Sequence, residues 1–235
     1  GLSHTLPIGM YLESIEDGQQ FIALATELGK NHPLFLLKPG KSPAAEQAIR
    51  SHTGAMAQED AVLDAALRKA GVIRCAGVED LFDLTRAFAW EDAPEGPKVA
   101  IISNAGGPAV IATDLLHEAG LSLAPLGKKT QAILETHLPR AANVQNPVDL
   151  LGDALASRYK TAVKAVLSEK AVDALLVILT PQIMTEIEST AQVIVQASKK
   201  YGKPIVASFM GGTHILEGER VLNHYRIPSF RFPER

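Results

Sequence analysis

The stretch KVAIISNAGGPAVIATDLLHE, Lys98 to Glu118, decides the fold class. Lys98 to Ser103 is apolar and rich in β-branched residues, the composition of a buried strand. Asn104 to Pro108 is a turn. Beyond it Ala112, Leu115, Leu116 and Ala119 recur at helical spacing along one face. A strand that runs through a tight turn into an amphipathic helix is the repeating unit of parallel α/β proteins.

The same alternation continues downstream. Leu121 to Pro125 reads as a strand, and Asn143 to Asp149 as a loop of turn formers. A helix follows, carrying Tyr159, Ala162, Val163 and Val166 on one face. Ala174 to Leu179 is unbroken apolar sequence, as a central parallel strand covered on both faces requires. After it come a helix marked by Ile187, Ala191, Ile194 and Val195, a strand over Pro204 to Phe209, a helix over Leu216 to His224 and a short strand over Ile227 to Phe230. These make about five βα units, so residues 98–235 are expected to form a complete flavodoxin-like domain.

Upstream, Glu91 to Pro97 (EDAPEGP) has two prolines, a glycine and three acids, and reads as a linker. The segment before it, residues 1–90, shows strands over Pro7 to Glu13, Leu34 to Lys38 and Val72 to Cys75. Helices fit Gln19 to Leu28, the stripe Leu63, Ala66, Leu67, Ala70, and Val78 to Ala89. Three strands are a thin sheet for packing with both faces covered. The first domain is therefore expected to lack an N-terminal βα unit.

Composition narrows the function. With 46% hydrophobic and 21% charged residues the chain is globular rather than disordered, and its net charge of −3 argues against general nucleic-acid binding. The single cysteine, Cys75, has no partner for an intrachain disulfide and reads as a small buried hydrophobe. No apolar run approaches the roughly 20 residues of a membrane span and no signal peptide is visible, so a cytoplasmic protein is expected.

Several familiar site patterns fail on inspection. Gly40-Lys41-Ser42 resembles the end of a phosphate-binding P-loop, but Phe35 stands where that motif needs glycine. There is no G-x-G-x-x-G, no G-x-S-x-G and no H-E-x-x-H, and metal-ligand spacing is missing, so no metal site is expected. Three features remain. Ser103-Asn104-Ala105-Gly106-Gly107-Pro108 lies at the carboxyl end of a strand, where open α/β sheets bind ligands. Its glycines and the helix start behind it suit an anion, although many such turns bind nothing. Ser51-His52-Thr53-Gly54-Ala55 presents an imidazole, a good nucleophile near neutral pH, among small residues. The plainer reading is a Ser51 or Thr53 helix cap beside a surface histidine. Glu13 ends the first strand, where a carboxylate can fix a neighbouring imidazole's tautomer or simply sit in solvent.

In this order the segments resemble a known family. Lys38-Pro39-Gly40-Lys41-Ser42, Ser51 to Ala55 and Ala70-Gly71-Val72-Ile73-Arg74 are similar to the phosphohistidine region of nucleoside-diphosphate-forming acyl-CoA synthetases, the ADP-forming acetyl-CoA synthetase and succinyl-CoA synthetase group. Tyr11 to Ile15 resembles the strand whose glutamate orients that histidine. Ser103 to Pro108 resembles the phosphate-binding helix start, and Asn146 to Leu150 a further segment of the same domain. The resemblance covers essentially the whole chain. It implies two flavodoxin-like ligase domains and the interconversion of acyl-CoA, phosphate and NDP with acid, CoA and NTP, through an acyl phosphate and a phosphohistidine. It further implies His52 as nucleophile and Glu13 as its orienting base. Ser103, Asn104, Ala105, Gly106 and Gly107, with Thr53 and Gly54, would hold the phosphoryl group.

CoA, ATP or ADP, and Mg2+ are then expected to bind mainly to CoA-binding and ATP-grasp domains or subunits outside this sequence. The fragment alone is expected to be inactive and the enzyme a homo- or hetero-oligomer. Two other readings fit the same domains: a regulatory module of a protein lysine acetyltransferase, and a CoA- or phosphate-sensing module without catalysis.

Overall fold

A computed structural model describes residues 6–42, 44, 45, 47, 51 and 60–235. It divides into two compact units, Gly1–Ala89 and Trp90–Arg235.

In the first unit the strands β1 (Ile8–Tyr11), β2 (Leu34–Leu37) and β3 (Val72–Arg74) form a parallel sheet in the order β1-β2-β3. The helices are α1 (Gly18–Leu28), α2 (Asp60–Lys69) and α3 (Val78–Trp90). All four residues of β2 are buried, and they divide by the two-residue period of a strand. Leu34 and Leu36 join Leu63, Leu67 and Ala25 of the helices α1 and α2 on one face. Phe35 and Leu37 meet Cys75, Leu81, Leu84 and Phe88 on the other. This alternation is what makes LFLL a central strand with a helical layer on each side. α1 begins at Asp17, whose carboxylate accepts the Gln20 N–H. β1 pairs on one side only among the described residues, and it stops at Tyr11, short of the Pro7–Glu13 span expected from sequence.

The second unit holds β4 (Lys98–Ser103), α4 (Gly106–Glu118), β5 (Ser122–Leu123), α5 (Lys128–His137), β6 (Val148–Asp149), α6 (Ala156–Leu167), β7 (Ala174–Leu179), α7 (Ile187–Tyr201), β8 (Ile205–Phe209), a short 3-10 turn (Gly212–Ile215), α8 (Leu216–His224) and β9 (Ser229–Phe230). The sheet runs β5-β4-β7-β8-β9, all parallel, with β6 also paired to β4. Leaving β6 aside, this is the flavodoxin strand order. The α/β class and parallel flavodoxin-like sheets expected from the sequence are therefore present.

Two details depart from the expectation. α5 occupies a stretch to which the sequence pattern assigns no element, and Asn143 to Asp149 ends in the strand β6 rather than in loop alone.

β5 and β6 share one edge of β4. β5 pairs with its start (Val99↔Leu123) and β6 with its end (Ile102↔Val148). The gap between them is closed by a side chain. Asn146 Oδ1 accepts the Ile101 N–H at 2.9 Å, and Nδ2 donates to the carbonyls of Val99 and Ala124 at 2.9 and 3.0 Å. One side-chain amide thus does the work of a missing strand peptide, which is why asparagine stands there. The linker's last residues pack on this unit. A Cβ at Gly96 would lie 2.5 Å from Asp173 Oδ2, and the Asp173 carboxylate accepts the Lys98 N–H that starts β4.

Candidate functional site

The Ser103–Pro108 turn lies where the carboxyl ends of β4 and β7 meet, the point at which strand order reverses. Its side chains are mostly spent on holding the turn. Ser103 is fully buried; its hydroxyl donates to the Ala105 carbonyl at 2.8 Å and accepts the Ala105 N–H at 3.0 Å. Asn104, 2% exposed, reaches across to β7. Its Nδ2 donates to the Thr180 carbonyl at 2.8 Å, and Oδ1 accepts both the Thr180 N–H at 2.8 Å and the Thr180 hydroxyl at 3.2 Å.

Beneath the turn lies Tyr159 of α6, fully buried, donating its hydroxyl to the Ile178 carbonyl at 2.9 Å. Burial pushes its phenol far above the usual range; a backbone hydrogen bond from Asn104 acts the other way, and the Asp149 charge adds to the rise. Tyr159 is therefore a neutral prop rather than a base.

What the turn leaves open is the start of α4. The cap residue Ala105 is extended, no side chain caps the helix, and its first turn contains no acid. The N–H groups of Gly106 and Gly107 lie among the groups that a helix start leaves without an internal partner. Both glycines are exposed and neither has positive φ. A Cβ at Gly107 would meet nothing within 4 Å, and one at Gly106 only Asp149 Oδ2 at 3.8 Å. The fold of this unit does not need either glycine. Two glycines in succession in the first turn leave this surface bare of side chains. Asp149, at the end of β6 beside Ser103, accepts the Leu151 N–H through Oδ1 at 2.9 Å and supports that loop at positive φ.

In the first unit Glu13 sits in a bend just past β1, exposed. The register places Tyr11 beside Leu37, so Glu13 and Lys38 leave the same end of neighbouring strands. Lys38 is only 9% exposed, and its one hydrogen bond among the described residues is to the Pro39 carbonyl at 3.3 Å. Its charge acts on the Asp60 carboxylate, and it forms no ion pair among the described residues. Arg74, at the end of β3, pairs with Asp60 and Asp64 through its two terminal nitrogens, Nη2 and Nη1. The Arg74 hydrogen bond holds the Asp60 carboxyl below its usual range, and the charges of Lys41 and Lys38 add to this.

His52, Thr53 and Gly54 lie outside the described residues. In the sequence the KPGKS segment is marked only by resemblance. The burial of Lys38 at this strand end adds a cation that no spacing rule would single out. Among the described residues no group of three acids, histidines or cysteines could hold a metal ion. No helix described is long and apolar enough to cross a membrane.

Residues 3–88 match the model of the succinyl-CoA ligase like flavodoxin domain, and residues 99–234 that of the ligase-CoA domain. The chain is 35% identical to the 4-hydroxybutyrate–CoA ligase [ADP-forming] of Nitrosopumilus maritimus, over 97% of its own length and 33% of the relative's. It is 36% identical to the alpha subunit of acetate–CoA ligase [ADP-forming] II of Pyrococcus furiosus, over 97% of this chain and 50% of that one. Among solved structures, the dinucleotide forming acetyl-coenzyme A synthetase 1 of Ca. Korarchaeum cryptofilum, in complex with phosphate and ADP, superposes with a TM-score of 0.88. That match has 32% identity and covers 95% of this chain and 49% of the other. The chain thus spans between a third and a half of these relatives.

Proposed function

Because this chain belongs to the NDP-forming acyl-CoA synthetase family, we propose that it supplies the phosphoryl-relay domains of an ADP- or GDP-forming acyl-CoA synthetase. The observation that carries the reading is the bare start of α4 at Gly106 and Gly107, held rigidly at the sheet's switch point. In this reading inorganic phosphate attacks the acyl-CoA thioester, giving an acyl phosphate and releasing CoA. His52 then attacks phosphorus, the acid leaves, and the phosphoryl group rests on the imidazole until NDP takes it.

Glu13 accepts a hydrogen bond from the other ring nitrogen, fixing the attacking tautomer and stabilising the charged ring. The role assigned to the N–H groups of Gly106 and Gly107 and to the α4 dipole is to stabilise the phosphoryl oxygens, by about 0.3–2 kcal/mol per charge. Thr53 and Gly54 add contacts beside the histidine. Lys38 brings a further positive charge to the carboxyl edge of the first sheet. Such catalysis is positioning and electrostatics, so a nucleophile, an orienting acid and fixed dipoles suffice.

Nothing among the described residues fits Mg2+, and the chain has no P-loop or dinucleotide fingerprint. CoA, nucleotide and Mg2+ are assigned to CoA-binding and ATP-grasp domains or subunits outside this chain.

The test is labelling of the complete protein with [γ-32P]ATP and Mg2+. An acid-labile, base-stable phosphate on wild type, absent in His52→Ala and reduced in Glu13→Gln, is expected. Equal labelling of His52→Ala and wild type sinks the proposal.

A further inference from the structure

On the amino side of the second sheet, away from the Asn104 turn, α5 and α6 frame a groove of about 660 Å³. Its position follows from Glu169 and Lys170, which lie in the connection leading into β7. Lys128, Lys129, Lys160, Lys164 and Lys170 line it, together with His137. All five lysines are exposed, and none is held by a hydrogen bond or ion pair among the described residues.

The lining carboxylate, Glu169, is already committed. Its Oε2 accepts the Gly127 N–H and the Thr130 hydroxyl, each at 3.0 Å, and these bonds hold its carboxyl below the usual range. His137 donates Nδ1–H to the Ile133 carbonyl at 2.8 Å, which leaves Nε2 as the ring's remaining polar atom. Ile133 and Ala165 give the groove an apolar lining between the amines.

This charge works against local stability. Lys128 and Lys129 begin α5, whose first turn contains no acid, so they oppose the helix dipole. Lys160 and Lys164 sit one turn apart on α6, a repulsive spacing. In a chain of net charge −3, positive charge gathered in one cavity against helix electrostatics is a local conflict of the kind found at functional sites. The volume lies within the roughly 300–1,000 Å³ of small-molecule pockets. Lysines recognise phosphate as point charges from several directions, without the planar fork that carboxylate pairing favours.

We propose that this groove binds a small molecule carrying two or more linked phosphates, at a site separate from the phosphoryl relay. Such a ligand is either an inorganic phosphoanhydride or a nucleoside di- or triphosphate, whose base would lie on Ile133 and Ala165.

Calorimetric titration of the 235-residue chain with sodium tripolyphosphate, with ADP and with poly-glutamate tests this. Saturable tripolyphosphate binding that weakens with added salt is expected, and it should fall by about tenfold or more in K160Q/K164Q while persisting in G107E. Tighter binding of ADP would assign the site to nucleotides, and binding of tripolyphosphate alone to inorganic phosphoanhydrides; both support the proposal. Three outcomes overturn it: no saturable binding of either phosphate probe, binding by poly-glutamate only, or binding unchanged in K160Q/K164Q. Loss in G107E with retention in K160Q/K164Q would place the anion at the α4 turn, refuting this groove while leaving the relay reading intact. Far-UV circular dichroism matching wild type confirms that each variant is folded.

Discussion

Replacing Asn146 with alanine should unlock the edge of β4. The side chain satisfies the Ile101 N–H and supplies donors to the carbonyls of Val99 and Ala124. Val99 O keeps a second partner, the Ala124 N–H at 2.8 Å, so truncation orphans two groups, Ile101 N–H and Ala124 O. Ile101 is fully buried and Ala124 is 1% exposed. An orphaned buried polar group costs about 1–3 kcal/mol, giving roughly 2–6 kcal/mol for the pair. Asn146 itself is only half-buried, so water entering the vacated space offsets part of this, and about 2–4 kcal/mol remains.

Urea unfolding followed by circular dichroism measures the total, and hydrogen exchange at the Ile101 amide reports the local effect. Asn146→Asp sharpens the test. A carboxylate retains the acceptor for Ile101 N–H but sets a charged oxygen against two carbonyl oxygens. Its folded-state pKa must therefore rise above the unfolded value of about 3.9. Its penalty is full above the folded pKa and shrinks as the pH falls toward the unfolded one. Unchanged exchange at Ile101 together with a loss below about 0.5 kcal/mol would refute the strand-substitute role.

Four further outcomes follow from the same geometry. Gly107→Ala should leave stability unchanged or raise it by up to about 1 kcal/mol while lowering phosphohistidine formation in the complete protein; a destabilised variant would contradict the open space found there. Gly96→Ala should destabilise the second unit by about 1–3 kcal/mol in thermal melts, because its Cβ would force Asp173 off the Lys98 N–H. Lys38→Met removes a buried cation whose charge acts on Asp60, so it should slow labelling of His52 and let the Asp60 carboxyl rise toward its usual range. Glu169 has a lowered pKa, so its contribution is present above the unfolded carboxylate value of about 4.3 and is lost as pH falls through the folded one. The stability gap between wild type and Glu169→Gln should therefore close on acidification, and a gap that widens would refute the assignment.

The parallel α/β class was legible because the strands LFLL and ALLVIL are apolar without interruption and helices such as α6 bury one periodic face. α5 has little sequence signature for a physical reason. In KKTQAILETH only Thr130 and Leu134 are buried, so the helix shows the core a single large apolar side chain and leaves little periodic signal. β6 was hidden because two residues make no pattern, and what secures them is the reach of Asn146, a contact between segments far apart in sequence. At the candidate site the sequence pointed to the turn but not to the division of labour within it. That Ser103 and Asn104 are structural while Gly106 and Gly107 stay bare depends on Thr180 and Ala105, which no local motif connects.

The bonds between Asn104 and Thr180 carry one more consequence. In doubly wound sheets the gap between diverging strand ends is ordinarily a slot into which part of a ligand descends. Here that slot is stitched shut by a side chain bonded at three points to Thr180, the residue that follows β7. The strand ends are closed at this point, so an anion held by Gly106 and Gly107, as proposed, would sit on the rim above them. A rim of this kind is half a binding site: it contacts one hemisphere of a small ion and leaves the other to be enclosed by whatever brings the ion there. Such a surface suits a group that arrives covalently attached and leaves again better than one that must be held alone.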